Sequence, residues 1–487
     1  MLRTVLSIFA GLLLWSASAE TRYQPTWQSV DSRPTPRWFS DDKFGIFIHW
    51  GVYSVPAYAP VGKYAEWYWN SLSKGKQDKD GKPNPTWEFH ARNYGESFPY
   101  FDFAPQFRAE MFEPAYWAEV FEKSGAKYVV LTSKHHDGFA LWPNEQANKT
   151  WNRPWNATSI GPKRDLLGEL TKAVRDRGLR MGFYYSLYEW YNPLWLKDRR
   201  TYVDQHMIPQ FKDLVARYQP ALIFSDGEWD MPGEDWRSPE ILAWLFNESP
   251  VKDSVVVNDR WGKGARHKHG GYYTTEYTAG LDTAGHPWEE SRGMGFSYGY
   301  NRAEKIGDYR TDRELILMLV DLVSRGGNLL LDIGPTADGR IPVIMQDRLL
   351  GMGRWLSRNG EAIYGTRPWK QTRQWSSGDQ PKLETGEFMT RYEVTDFIER
   401  KKPSQAIIEA FFTSKGGDLY AIVPHWPGKQ FTLRNVQRPS EVSLLGRPEK
   451  LKFEAKGADL AIELPDPPGD ASQAQHAYVL KLKGSAR

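Results

Sequence analysis

From about residue 40 to about residue 360 the chain keeps one rhythm, in which short apolar, β-rich runs alternate with stretches of helical spacing. That alternation marks a mainly parallel sheet with crossover helices. The candidate strands are Phe44–His49, Tyr128–Thr132, Met181–Tyr185, Ala221–Phe224, Ser254–Val257, Tyr272–Thr275 and Asn328–Ile333. Helical patterns lie between them at Ala115–Lys123, Leu166–Asp176 and Arg313–Ser324, the last with Leu315, Leu317, Leu319 and Leu322 at roughly helical spacing. Seven strands over this length fit a (β/α)8-like, TIM-type barrel with one strand missed or irregular; an open doubly wound sheet is the second choice.

After the helical stretch Gln346–Ser357 the rhythm changes at Gly365-Thr366-Arg367-Pro368. Short alternating runs take over at Phe388–Glu393, Ile407–Thr413, Leu419–Val423, Val442–Leu445, Leu451–Glu454, Leu460–Leu464 and Ala477–Leu482. They predict an antiparallel β-sandwich of about a hundred residues. The expected organisation is a barrel domain over 20–369 and a sandwich over 370–487, with Pro465–Asp470 as a surface loop of the sandwich.

The first residues read as a secretory signal. One Arg precedes an apolar run from Val5 to Trp15, followed by Ser16, Ala17, Ser18 and Ala19, so cleavage is expected after Ala19. The run is too short to span a bilayer comfortably, and the expected location is the periplasm or the extracellular space. The chain contains no cysteine, which removes disulfides, thiol nucleophiles and thiolate metal sites from consideration. Formal net charge is +3 without a block of like charges, so nucleic acid is not a suggested partner. Aromatic residues make up 14% of the chain, more than a core needs, and flat rings suit the C–H faces of sugars.

Barrel enzymes carry their reactive groups at the carboxyl ends of strands. Here the apolar runs end in His49-Trp50-Gly51, Ser133-Lys134-His135-His136-Asp137-Gly138, Tyr185-Ser186, Ser225-Asp226-Gly227-Glu228-Trp229, Asn258-Asp259-Arg260-Trp261 and Glu276-Tyr277. Six polar or aromatic endings in register argue for one shared pocket. Asp226, at a strand tip with a glycine behind it, is the leading nucleophile; a calcium or cap role in a cluster with Glu228 and Asp230 is the alternative. A glycosidase needs a second carboxyl group as proton donor, and Glu276 fits, with Glu289 and Glu290 as rivals in what reads as a loop. His49, His135, His136 and Tyr185 are expected to bond ring hydroxyls, Arg260 to steady Asp226 or Glu276, and Glu66 to reach a sugar hydroxyl. No zinc-ligand spacing is present, so no metal and no cofactor are expected.

Phe47-Ile48-His49-Trp50-Gly51, Lys134-His135-His136-Asp137-Gly138-Phe139, Ser225-Asp226-Gly227-Glu228-Trp229 and Asn328-Leu329-Leu330-Leu331-Asp332-Ile333-Gly334-Pro335 together resemble glycoside hydrolase family 29, the retaining α-L-fucosidases. The resemblance spans residues 35 to 365. It implies a catalytic barrel followed by a β-sandwich, no metal, and double displacement on a fucosylated glycan or oligosaccharide. Carried over residue by residue, it implies Asp226 as nucleophile and Glu276 of Thr-Thr-Glu-Tyr as acid/base. The fucose contacts it implies are His49, Glu66, Trp67, His135, His136, Tyr185 and Arg260, with Phe224 and Tyr298 as apolar wall near the C6 methyl. Glu289 stays open as acid/base, because that position varies among branches of the family. Rival readings are a non-catalytic sugar-binding protein, a metal-dependent hydrolase using His49, His135, His136 and Asp226, and a glycosidase for L-galactose. The linkage cut, the oligomeric state, including a homo-oligomer, and the role of the sandwich stay open.

Overall fold

The computed structural model describes residues 22–281, 285–384, 386, 388–390, 392–467 and 476–486. The expected signal segment and part of the Pro465–Asp470 loop lie outside the described residues. Among the described residues no helix is long and apolar enough to cross a membrane.

Eight strands form the first sheet: β1 (Phe44–Ile48), β2 (Tyr128–Lys134), β3 (Arg180–Ser186), β4 (Leu222–Asp226), β5 (Val256–Val257), β6 (Tyr273–Glu276), β7 (Trp288–Gly293) and β8 (Gly327–Ile333). Their order is β5-β4-β3-β2-β1-β8-β7-β6, and each pairing is parallel. The two edge strands, β5 and β6, follow one another in the chain, so the sheet curls until they meet. Turn backbone closes that seam: Gly271 N and Tyr272 N donate to Val257 O at 3.1 and 3.2 Å. β5 stops after two residues because a side chain takes over its pairing. The Asn258 amide accepts from Ser225 N at 3.1 Å and donates to Ser225 O at 2.8 Å, copying a ladder rung.

β7 is the strand that the apolar pattern does not reveal. Its sequence, Trp-Glu-Glu-Ser-Arg-Gly, has no apolar run, yet the whole strand is buried. Glu290 satisfies itself by accepting from Thr275 Oγ1, from Thr278 N at 2.9 Å and from Arg292 Nε at 3.0 Å. The expected loop over the barrel mouth is therefore a barrel strand.

Aromatic and aliphatic side chains from alternate strand positions fill the barrel interior, among them Phe47, Tyr128, Val130, Tyr184, Leu222, Phe224 and Leu330. The outward positions pack on the surrounding helices, as Val129, Leu131, Met181, Phe183, Ile223 and Leu329 do.

The C-terminal strands are β9 (Arg367–Trp375), β10 (Ile408–Lys415), β11 (Asp418–Val423), β12 (Gln430–Leu433), β13 (Glu441–Leu444), β14 (Phe453–Lys456), β15 (Asp459–Glu463) and β16 (Tyr478–Lys483). They form antiparallel sheets ordered β13-β16-β11-β10-β9 and β12-β15-β14, with Leu419, Ala421, Leu433, Leu460, Ile462 and Leu480 in one apolar core. β9 was not expected because it is a polar edge strand, and β12 because it is short. Phe388–Glu393, expected as a strand, makes instead a single bridge, Phe388 to Glu276, and is followed by a helical turn at Thr395–Ile398.

Candidate active site

Strand alternation decides what faces the barrel mouth. On β4, Leu222 and Phe224 point inward, and Asp226 continues that row at the strand tip. Register pairs Tyr184 of β3 with Phe224 and Ser186 with Asp226, so Tyr184 shares the inward face. The chain must then turn tightly. Gly227 has φ +75°, and a Cβ there would stand 2.5 Å from the Tyr188 ring.

Asp226 and Glu276, at the tips of β4 and β6, meet across one guanidinium. Arg260 donates from Nη1 to Asp226 Oδ1 at 3.0 Å, from Nη2 to Glu276 Oε2 at 3.1 Å and from Nε to Thr274 Oγ1 at 3.0 Å. Its plane lies 4.9 Å from the centre of the Phe224 ring. Asp226 Oδ2 accepts from Tyr184 Oη at 2.8 Å, with His136 Nε2 at 3.5 Å, and Glu276 Oε1 accepts from Tyr64 Oη at 3.0 Å. Burial works against charge on Asp226, but Arg260, then His136 and Arg266, outweigh it and hold the carboxyl down at about 2.

The pocket around this pair has a volume of about 820 Å³. Phe47, Phe224, Tyr184 and Tyr298 line its inner end, with Phe47 and Phe224 at 5.0 Å between ring centres. His49 stacks on Tyr298 at 4.8 Å and is hydrogen-bonded through Nδ1 to Asp332 Oδ1 at 2.7 Å. Burial lowers His49 to about 3 and His136 to about 4, so both are neutral near pH 7. Glu66, on a short 3-10 turn, accepts from Gly299 N at 2.8 Å and from Ser297 Oγ at 3.3 Å; burial raises it to about 8. Trp67 packs at 5.0 Å on Trp190 and edge-on to His136 at 5.6 Å.

Of the residues expected from sequence, His49, Glu66, Trp67, His135, Phe224, Asp226, Arg260, Glu276 and Tyr298 line this pocket, and His136 lies beneath it against Asp226. Tyr185 does not reach it. Its hydroxyl donates to Met207 O at 3.0 Å and Gln210 Oε1 at 2.9 Å in the helix layer, because an odd step along β3 points outward. Tyr184 stands where Tyr185 was expected.

Glu289 is also misplaced by the sequence reading. It is the second residue of β7, opposite Asn328, and accepts from the hydroxyl of Tyr128, the first residue of β2, at the far end of the barrel. Glu290 is tied to Thr275, Thr278 and Arg292, away from the pocket. The Asp226, Glu228, Asp230 run does not converge: Glu228 accepts from Arg266 Nε at 2.7 Å and Asp230 pairs with Arg199 at 3.1 Å. Among the described residues no group of three His, Cys, Asp or Glu is placed to hold a metal ion.

Tyr64, Tyr184, Arg266 and Phe388 were missed. Tyr184 is found only through the register of β3 on β4, which the sequence does not show; Tyr64 stands just before the Glu66-Trp67 pair, and nothing local marks Phe388.

A curled parallel barrel whose strand tips bring two carboxyl groups together at a pocket closed at its inner end by aromatic side chains defines a glycoside hydrolase. The family model described as Alpha-L-fucosidase matches residues 12–361, and that of the Alpha-L-fucosidase C-terminal domain matches residues 405–483. The chain is 42% identical to the tissue alpha-L-fucosidase of Homo sapiens over 498 residues, covering 97% of this chain and 96% of that one. It is 48% identical to the alpha-L-fucosidase of Dictyostelium discoideum over 372 residues, covering 74% and 78%. The crystal structure of Thermotoga maritima alpha-fucosidase in complex with a mechanism-based inhibitor superposes with a TM-score of 0.76 at 35% identity, covering 95% of this chain and 100% of that one. The chain belongs to the α-L-fucosidases of glycoside hydrolase family 29.

Proposed function

We propose that this chain is an exported, exo-acting α-L-fucosidase that releases terminal α-L-fucose with retention, through a covalent fucosyl-enzyme on Asp226. The observation that carries the reading is the Asp226–Arg260–Glu276 bridge at the mouth of a pocket closed at its inner end. A closed pocket takes a chain end, not a chain interior. Its aromatic inner wall suits the C6 methyl of fucose, and Glu66 with the neutral imidazoles of His49 and His135 suits ring hydroxyls. The Thermotoga maritima enzyme, also crystallised in complex with fucose, supports the sugar.

In the first step Asp226, charged at every working pH, attacks the anomeric carbon while Glu276 gives its proton to the departing oxygen. In the second, Glu276 takes a proton from water, which displaces Asp226 and restores the carboxylate. Arg260 holds both carboxyls in one plane of hydrogen bonds, and Tyr184 fixes the direction of the Asp226 oxygens. Proton NMR of p-nitrophenyl α-L-fucoside hydrolysis tests this: the first-formed sugar is α-L-fucose, and Asp226→Gly is inactive but makes β-L-fucosyl azide when azide is added. β-L-Fucose as first product, or an active Asp226→Gly, overturns the mechanism, and loss of wild-type activity with a chelator overturns the metal-free reading.

A further inference from the structure

Phe388 belongs to no strand or helix of the barrel, yet it lines the same pocket as Asp226 and Glu276. A backbone contact puts it there: Met389 N donates to Glu276 O at 2.9 Å, and Phe388 makes a parallel bridge to Glu276. Met389 takes φ +48°, a conformation that a non-glycine residue keeps only where its surroundings impose it. Glu276 is thereby held by its carboxylate through Tyr64 and Arg260 and by its main chain through this segment.

In a displacement at the anomeric carbon the nucleophile and the leaving oxygen lie on opposite sides of the sugar. The leaving sugar therefore departs on the side of Glu276, outward from the aromatic inner end. Phe388 stands on that side, bridged to the Glu276 main chain, 50% exposed and lining the pocket, which leaves an apolar side chain open to whatever follows the scissile bond. Trp229, the other exposed aromatic of the pocket, follows Asp226 in the chain and packs toward Trp67, on the nucleophile's side.

We propose that Phe388 is the platform for the sugar to which fucose is attached, and that it sets how efficiently glycan linkages are cut; this rests on Glu276 acting as the acid/base. The residue comes from outside the barrel, from the stretch between β9 and β10, which gives the C-terminal part of the chain a share in specificity.

The test compares kcat/KM for an α-L-fucosyl disaccharide with kcat/KM for α-L-fucosyl fluoride, whose leaving group offers nothing to stack and needs little protonation. In Phe388→Ala the disaccharide-to-fluoride ratio falls about tenfold, the size of an aromatic stacking contact, and in Phe388→Tyr it returns toward wild type. An unchanged ratio in Phe388→Ala, with a melting temperature like that of wild type, overturns the proposal. So does an equal fall for both substrates, which would trace the loss to the fucose site or the fold. So, too, does an equal fall for the disaccharide and methyl α-L-fucoside, whose leaving group needs the acid but offers no sugar face, because Phe388 would then serve only to hold Glu276. Glu276→Ala separates the underlying reading: its ratio falls far more steeply than that of Phe388→Ala if Glu276 is the acid, and an unchanged ratio there refutes the acid/base assignment itself.

Discussion

Arg260→Met keeps most of the side-chain volume and deletes the guanidinium that donates to Asp226 at 3.0 Å and to Glu276 at 3.1 Å. In the wild type, Asp226 is drawn from 3.8 to about 2 although burial pushes the other way, a net preference for the charged form of about 2 kcal/mol. Arg260 is the largest of the groups that lower it. A carboxylate that loses such a partner rises by about 1–3 pH units, which carries Asp226 into or beyond the ordinary carboxylate range. The nucleophile must be charged, so kcat/KM falls as pH drops through this value. The acid limb of kcat/KM on an aryl fucoside should therefore move up by about 1–3 pH units in Arg260→Met. The plateau should drop by about tenfold to a hundredfold, the worth of one charged hydrogen bond. Arg260→Lys keeps the charge but not the fork, so its limb should lie between the two. Stability follows the same sign: a depressed carboxyl contributes above its unfolded value and loses that contribution as pH falls toward 2. The variant lacks it at neutral pH and melts earlier, so rates are compared well below its melting temperature. An Arg260→Met enzyme with the wild-type acid limb and plateau would show that the bridge does not govern the nucleophile.

Three further outcomes follow from particular contacts. Tyr184→Phe removes the hydroxyl that donates to Asp226 at 2.8 Å and should lower kcat/KM by about tenfold or more, while Tyr185→Phe, whose hydroxyl bonds the helix layer, should leave kcat/KM unchanged; the reverse order would place the wrong tyrosine in the pocket. Glu289→Gln should stay active, because Glu289 lies at the far end of the barrel, and an inactive, folded Glu289→Gln would contradict that placement. Burial raises Glu289 from 4.5 to about 8, so wild-type stability declines between those values as the unfolded chain sheds the proton first; melting curves of the glutamine variant should be flatter over that window. Asp321 accepts from Arg325 at 2.7 Å, from Arg373 Nε of β9 at 2.9 Å and from Tyr392, so Asp321→Asn removes the buried carboxylate of the Arg325 ion pair and should cost about 3–5 kcal/mol in denaturant unfolding.

The barrel was legible wherever strands were apolar. β1, β2, β3, β4, β6 and β8 begin or end within two residues of the expected runs, because strands buried on both faces need continuous hydrophobic sequence. β7 escaped because buried hydrogen bonds, not apolar side chains, satisfy it, and hydropathy carries no signal for that. Tyr185 escaped for a different reason. A run that is apolar on both faces hides its own parity, and only the register between β3 and β4 shows that Tyr184 shares the face of Phe224. Phe388 depends on a chain segment folding back more than a hundred residues onto Glu276, and long-range placement of that kind leaves no local trace.

The pocket gathers Glu66, Asp226, Glu228 and Glu276 within one cavity, and its chemistry requires that they not behave alike. Geometry separates them. Asp226 lies within reach of Arg260, Arg266 and His136 and keeps its charge down to about 2, whereas Glu66 meets only neutral donors and burial lifts it to about 8. Near pH 7 Glu66 therefore carries a proton it can donate to a sugar hydroxyl, while His49 and His136, lowered to about 3 and about 4 by burial, each keep one acceptor and one donor nitrogen. A sugar entering this pocket meets both kinds of partner without adding a charge of its own. The arrangement also limits working pH from above, since Glu66 loses its proton as pH rises through about 8 and then offers ring hydroxyls an acceptor where a donor stood. KM on a fucoside should rise through that pH in the wild type and should not in Glu66→Gln, which keeps donor and acceptor at all pH; a parallel rise in both would trace the alkaline limit to another group.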